Sequence, residues 1–161
     1  MEIDKDKVTY RRAVLDDVQI LVQFREAFLT ETFPESIDRD RDLFRHSAAA
    51  YFTNAISSDL FVAYFAVYDG HVLSVGGMST YTLPPIDTPR GRKIGYILNM
   101  YTVPVARRKG LGAHIFDLLI AEGKRQGLSN IHLRATKDGE PLYRKAGFVE
   151  PHLVELELKL T

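Results

Sequence analysis

Residues Arg107-Arg108-Lys109-Gly110-Leu111-Gly112-Ala113 join three cations to two glycines at the place where a helix begins. Such a run can hold phosphate. A helix start leaves about four backbone N–H groups without intrahelical acceptors and gathers partial positive charge, so a docked anion satisfies both. Glycines at 110 and 112 let a phosphate oxygen approach the backbone closely and permit a positive φ where the turn needs one. Two better-known phosphate loops are excluded: there is no Gly-Lys-Ser/Thr, and Ile115 stands where a dinucleotide fingerprint needs its third glycine.

The elements around this run follow from periodicity. Apolar, β-forming residues from Tyr96 to Val103, stopped by Pro104, predict a strand over 94–103. After the glycines, Leu111, Ile115, Leu118 and Leu119 make one apolar helical face; Lys124, Arg125 and Gly127 supply its C-terminal signals. Upstream, Val8 to Val14 predicts a first strand, and Asp16 caps a helix carrying Val18, Leu21, Val22, Phe28 and Leu29 that ends at Phe33-Pro34. A second helix is expected from about 39 to 56. Asp69-Gly70 between two apolar runs predicts a hairpin of 60–68 with 71–81, and Gly76-Gly77 marks a bulge. Ile131 to Ala135 reads as a strand, Pro141 opens a short helix ended by Gly147, and Val154, Leu156, Leu158 and Leu160 predict a terminal strand with one wet face. One domain over 1–161 is expected.

Composition narrows the class. Lys+Arg and Asp+Glu both total 21, so the basic run is local and a general nucleic-acid-binding protein is not indicated. Without cysteine there is no disulfide, thiol nucleophile or Cys-ligated metal, and the five histidines form no close metal-binding pair. No apolar run of about 18 residues and no signal-peptide pattern occurs, so a cytoplasmic protein with neither metal nor membrane partner is expected.

A second chemical signal is Pro141-Leu142-Tyr143-Arg144-Lys145-Ala146-Gly147-Phe148, one helix and one strand beyond the basic turn. The pair Arg107-x-x-Gly110-x-Gly112 and Leu142-Tyr143-x-x-x-Gly147-Phe148, with the element order β-α-α-β-β-β-α-β-α-β, resembles the GCN5-related N-acetyltransferase (GNAT) family. The resemblance implies an α/β fold with a mixed, mostly antiparallel sheet flanked by helices and splayed between the fourth and fifth strands. It implies acetyl-CoA as co-substrate, with the N–H groups from Arg108 to Ala113 on its pyrophosphate beside Arg107, and with Lys109, Gly110, Leu111 and Gly112 in that turn. Met100, Tyr101 and Val103 would offer backbone groups to the pantetheine arm and the acetyl carbonyl, Val103 as part of an oxyanion site. Tyr143 would stand near the sulfur as general acid, a phenol being able to donate a proton as negative charge grows there. Many relatives pair, so a homodimer is among the implied partners.

The acceptor is less defined. The strand before the basic turn offers Asn99, Tyr101 and Thr102 but no carboxylate base. Glu31 and Glu35, around the end of the first helix, lie where relatives form the acceptor pocket, and acids there favour a cationic acceptor. The reading is N-acetyl transfer to a primary amine, small-molecule, N-terminal or lysyl. A non-catalytic acyl-CoA-binding or regulatory module is the alternative.

Overall fold

A computed structural model of the chain describes residues 3–34, 40–86 and 91–160. In order the elements are β1 (Thr9–Arg12), α1 (Val18–Thr32), α2 (Arg41–Ser57), β2 (Phe61–Tyr68), β3 (His71–Leu83), β4 (Arg92–Thr102), α3 (Leu111–Arg125), β5 (Asn130–Leu133) and α4 (Glu140–Lys145). The strands form a five-stranded sheet in the order β1-β2-β3-β4-β5. The first three pairings are antiparallel and β4–β5 is parallel. Asp69 and Gly70 both take positive φ, 49° and 72°, as the tight β2–β3 hairpin requires.

The start of α1 differs from expectation by one residue. Leu15–Asp17 form a 3-10 turn, and Asp17, not Asp16, carries the capping carboxylate: it accepts the Val14 N–H at 2.9 Å. Both its oxygens also accept from the Arg11 guanidinium at 2.7 Å, which ties β1 to the helix start. Those bonds from Arg11, ahead of the one from Val14, hold the Asp17 carboxyl below the usual carboxylate range against the opposing effect of burial. The second helix starts at Arg41, where Asp40 accepts the Leu43 N–H at 2.9 Å as an N-cap.

Each face of the sheet has its own core. On one side Val62, Ala66, Met78 and Ile97 meet Leu111, Ile115, Phe116 and Leu119 of α3; on the other Ala63, Phe65 and Val75 meet Leu21 and Val22 of α1 and Phe52 of α2. Fully burying each large side chain is worth about 1.5–3 kcal/mol, so packing rather than helix propensity holds α3 in place.

Two irregularities of β4 open a site. Leu98 pairs with Gly77 and Tyr101 with Val75, so Asn99 and Met100 together oppose the single Gly76. The bulge therefore falls opposite the expected glycine pair, with its extra residue on β4. Asn99 sits there at φ 60°. Gly76 is needed for close approach: a Cβ would collide with Met100 Sδ and come within 2.6 Å of Ile115 Cγ2. Beyond Ile97, paired with Leu133, β5 leaves the sheet and β4 runs on to Thr102 without a neighbour on that side.

No terminal strand forms. Residues 153–160 adopt no regular structure, and Leu153, Val154, Leu156, Leu158 and Leu160 are all at least 79% exposed. The alternation is present in the sequence, but β5 ends at Leu133 and extends no edge to it. The segment is tethered by exposed ion pairs from Arg134 to Glu157 at 3.3 Å and Glu155 at 4.0 Å, contacts that are worth little. Among the described residues, no helix is long and apolar enough to cross a membrane.

Candidate active site

At the N-terminus of α3, Gly110 is the left-handed N-cap at φ 87°, preceded by Arg108 at φ 59°. The first helix N–H to find its intrahelical acceptor is that of His114, on Gly110 O at 3.0 Å; those of Leu111, Gly112 and Ala113 lie ahead of it and face outward as first-turn donors. They open onto a cleft of about 570 Å³ whose wall includes Met100, Tyr101, Arg107, Arg108, Gly110, Leu111, Gly112, Ala113 and Tyr143. A side chain at 112 would meet only Thr102 Oγ1, at an ordinary 3.4 Å, so the helix tolerates bulk there and the space saved is cleft space.

Not every expected residue does what the motif implies. Lys109 lies outside the cleft wall. Val103 does too, and its N–H is spent on Leu73 O at 2.9 Å, so it has no donor left for an oxyanion. Arg107 is pinned rather than mobile: Nε donates to Thr102 O at 2.9 Å, Nη2 to Glu31 Oε2 at 2.6 Å, and the guanidinium lies 5.4 Å above the Tyr101 ring. Tyr101 Oη donates to the same Glu31 oxygen at 3.1 Å. Glu31 thus lines this cleft, and one of its oxygens, Oε2, is shared by two protein donors. The Arg107 bond, opposed by burial and helped by Tyr101, pulls its carboxyl below the usual range, which makes it a weak base. Glu35 lies outside the described residues.

A second cavity of about 420 Å³ lies on the other side of the splay. Phe28, Met100, Thr136, Gly139 and Tyr143 line both spaces, so the two meet where β4 and β5 part. Tyr143 is 8% exposed and packs its ring against Phe116 and Phe148, at centroid distances of 5.2 and 6.3 Å. Burial pushes its phenol above the ordinary tyrosine value, so the group stays protonated and able to donate. His114, beside the basic turn, is stacked on Tyr10 at 3.8 Å.

Sequence reasoning missed Arg25, which lines the second cavity. A signal existed. Leu21, Arg25 and Leu29 are spaced i, i+4, i+8, so a cation interrupts the apolar stripe of α1.

A family model for GNAT acetyltransferases matches residues 21–148. The chain belongs to that family. A predicted acetyltransferase from Clostridium acetobutylicum, solved with acetyl-CoA, superposes with a TM-score of 0.84 at 31% identity over 95% of this chain and 96% of that one. A GCN5-related N-acetyltransferase from Ralstonia eutropha JMP134 superposes at 0.77 with 24% identity, over 94% and 98%. An aminoglycoside acetyltransferase from an uncultured soil metagenomic sample, in complex with sisomicin, shares the fold at 0.70 with 14% identity, over 97% and 98%. No curated protein matches the chain significantly. The outward N–H groups of α3, with the open space at Gly110 and Gly112, suit an anionic group such as a phosphate.

Proposed function

We propose that this GNAT acetyltransferase moves the acetyl group of acetyl-CoA to a primary amine by direct attack, with both substrates bound at once. The observation that carries this is the meeting of two cavities at Met100 and Tyr143. One cavity is walled by outward helix N–H groups, suited to the donor's phosphates; the other approaches the same point from the opposite side. A donor entering by the first and an acceptor by the second would bring thioester and amine together without a covalent enzyme intermediate. No cysteine exists to carry one.

The bonds balance simply. The amine lone pair forms the N–C bond, the C–S bond breaks, its pair goes to sulfur, and the Tyr143 phenol supplies the proton that makes the thiol. The proton released by the nitrogen passes to water, from which Tyr143 is restored. Burial favours this role because a phenol held neutral keeps its proton across the working pH range. With Glu31 engaged by Arg107 and Tyr101, the free amine itself is the nucleophile and deprotonation falls to solvent.

Thiol release from acetyl-CoA, followed with a panel of amines at several fixed donor concentrations, tests this. Intersecting double-reciprocal lines are expected. Parallel lines would replace the ternary complex by a covalent intermediate, and acetyl-CoA binding without thiol release for any amine would leave an acyl-CoA-binding module.

A further inference from the structure

The second cavity has an unusual charge pattern for a site thought to take an amine. Its wall contains no Asp or Glu among the described residues; its charged members are Arg25 and Arg134. Arg134 is engaged with Glu157 at 3.3 Å and Glu155 at 4.0 Å. Arg25 has no partner: among the described residues, none accepts a hydrogen bond from it and no carboxylate lies within ion-pair distance. Partial burial pulls its pKa below the usual guanidinium value, opposed only by the nearby Tyr51 and Tyr96 phenols. Asn99, on the same wall, is 2% exposed, and both its Oδ1 and Nδ2 lack a hydrogen-bond partner. Buried polar groups are otherwise almost always satisfied, so the unspent Asn99 amide, on the same cavity wall as the half-buried Arg25 guanidinium, points to a ligand.

We propose that this cavity reads an anion: Arg25 receives the carboxylate of an amino-acid-type acceptor whose primary amine reaches the junction at Met100 and Tyr143. The proposal rests on the acetyl-transfer reading of the same site and names its substrate class. One guanidinium and one neutral amide match a monoanion better than a phosphate dianion. The apolar lining from Phe28, Leu29, Phe33, Ile97, Leu98 and Leu133 matches an acceptor with a hydrocarbon or aromatic body. A cationic acceptor, expected from the acids after α1, finds no carboxylate among the described residues of this wall.

Matched acceptors test it with the full chain: L-phenylalanine against phenethylamine, and 4-(aminomethyl)benzoate against benzylamine, with O-phosphoethanolamine as the phosphate arm. A charge-assisted hydrogen bond predicts that a carboxylate member exceeds its neutral partner about 10- to 100-fold in kcat/KM. Arg25→Met should bring the pair within about 3-fold by raising the KM of the carboxylate member, and Arg25→Lys should recover part of the gap. A second arm needs no turnover: with saturating CoA, N-acetyl-L-phenylalanine should raise the melting temperature of the wild type and N-acetylphenethylamine should not.

Equal or better use of the neutral amines overturns the proposal, as does an equal loss for both members in Arg25→Met or a preference for O-phosphoethanolamine. If neutral amines are acetylated without any carboxylate preference, the anion subsite falls while acetyl transfer stands. If no amine is acetylated, acetyl transfer falls and the melting arm decides the subsite: a shift with N-acetyl-L-phenylalanine supports it and no shift removes it.

Discussion

The two cavities that meet at Tyr143 are built from different material. The cleft at α3 adds backbone to its side chains: first-turn N–H groups of α3, a left-handed Gly110, and side-chain space kept empty at Gly112. The second cavity is made of side chains from α1, β4, α4 and the chain beyond β5. In the cleft at α3 one of the two lining arginines, Arg107, is paired with Glu31 at 2.6 Å, whereas in the second cavity no described carboxylate pairs with Arg25. Backbone donors suit a ligand that never varies, since no substitution removes an N–H short of proline. Side chains suit a partner that differs between relatives.

That contrast can be broken most severely at the shared wall. Tyr143→Phe should lower kcat by about 100-fold or more, the usual scale for a lost general acid, while acetyl-CoA binding by calorimetry stays near the wild-type value. In the wild type kcat should show no loss from phenol ionisation until the pH passes 10, because burial raises that pKa and so extends the protonated form upward. A fall setting in well below that would remove Tyr143 as the donor. Next in size, Gly112→Val fills donor space only. Losing one or two charge-assisted contacts predicts an acetyl-CoA affinity about 30-fold weaker, with the acceptor KM little altered; a matching rise in acceptor KM would deny that the cavities are separable.

Glu31→Gln is a gentler probe. Both partners of its ion pair are well exposed, so stability should change by less than about 1 kcal/mol, and the released Arg107 should raise acetyl-CoA affinity slightly. A large loss of activity would instead make Glu31 the base. The smallest kinetic effect belongs to Glu122→Gln at the far end of α3, outside both cavities. There the carboxylate, 5% exposed, accepts from Arg125 at 2.6 and 2.9 Å and from Gln126 at 2.7 Å, which lowers its pKa from 4.5 to about 2. A lowered folded-state value gives stability that is present above pH 4.5 and lost as the pH falls through 4.5 toward 2. The variant should flatten acid unfolding in that window and leave acetyl transfer at neutral pH alone.

The same contrast explains what could be read from the chain directly. The donor turn is contiguous: strand stop, cations, glycines and helix start follow one another from Pro104 to Ala113, and local physics alone places them. Arg25, Asn99 and Tyr143 are far apart in sequence, and only the splay after Ile97 brings them to one cavity. Local signals also mark what an element prefers without saying whether a neighbour exists. Val154 to Leu160 alternates as a strand should, yet β5 ends too early to pair with it. Motif position likewise could not show that the Val103 N–H goes to Leu73 O, or that Arg107, on the cleft wall, gives one of its nitrogens to Glu31.

The extra residue at Asn99 works as a phase shift. Ile97 and Leu98 face the α3 and α1 sides respectively; strict alternation would send Met100 to the α1 side and Tyr101 to the α3 side, but both take the opposite face. Removing Asn99 would therefore leave a regular strand with Met100 opposite Gly76 and with Met100 and Tyr101 on the faces they already occupy, whereas removing a residue elsewhere in β4 would turn one half of the strand over relative to the other. At this one point a deletion keeps the frame of both halves of β4, and what it costs is the bulge itself and the Asn99 side chain it places on the cavity wall.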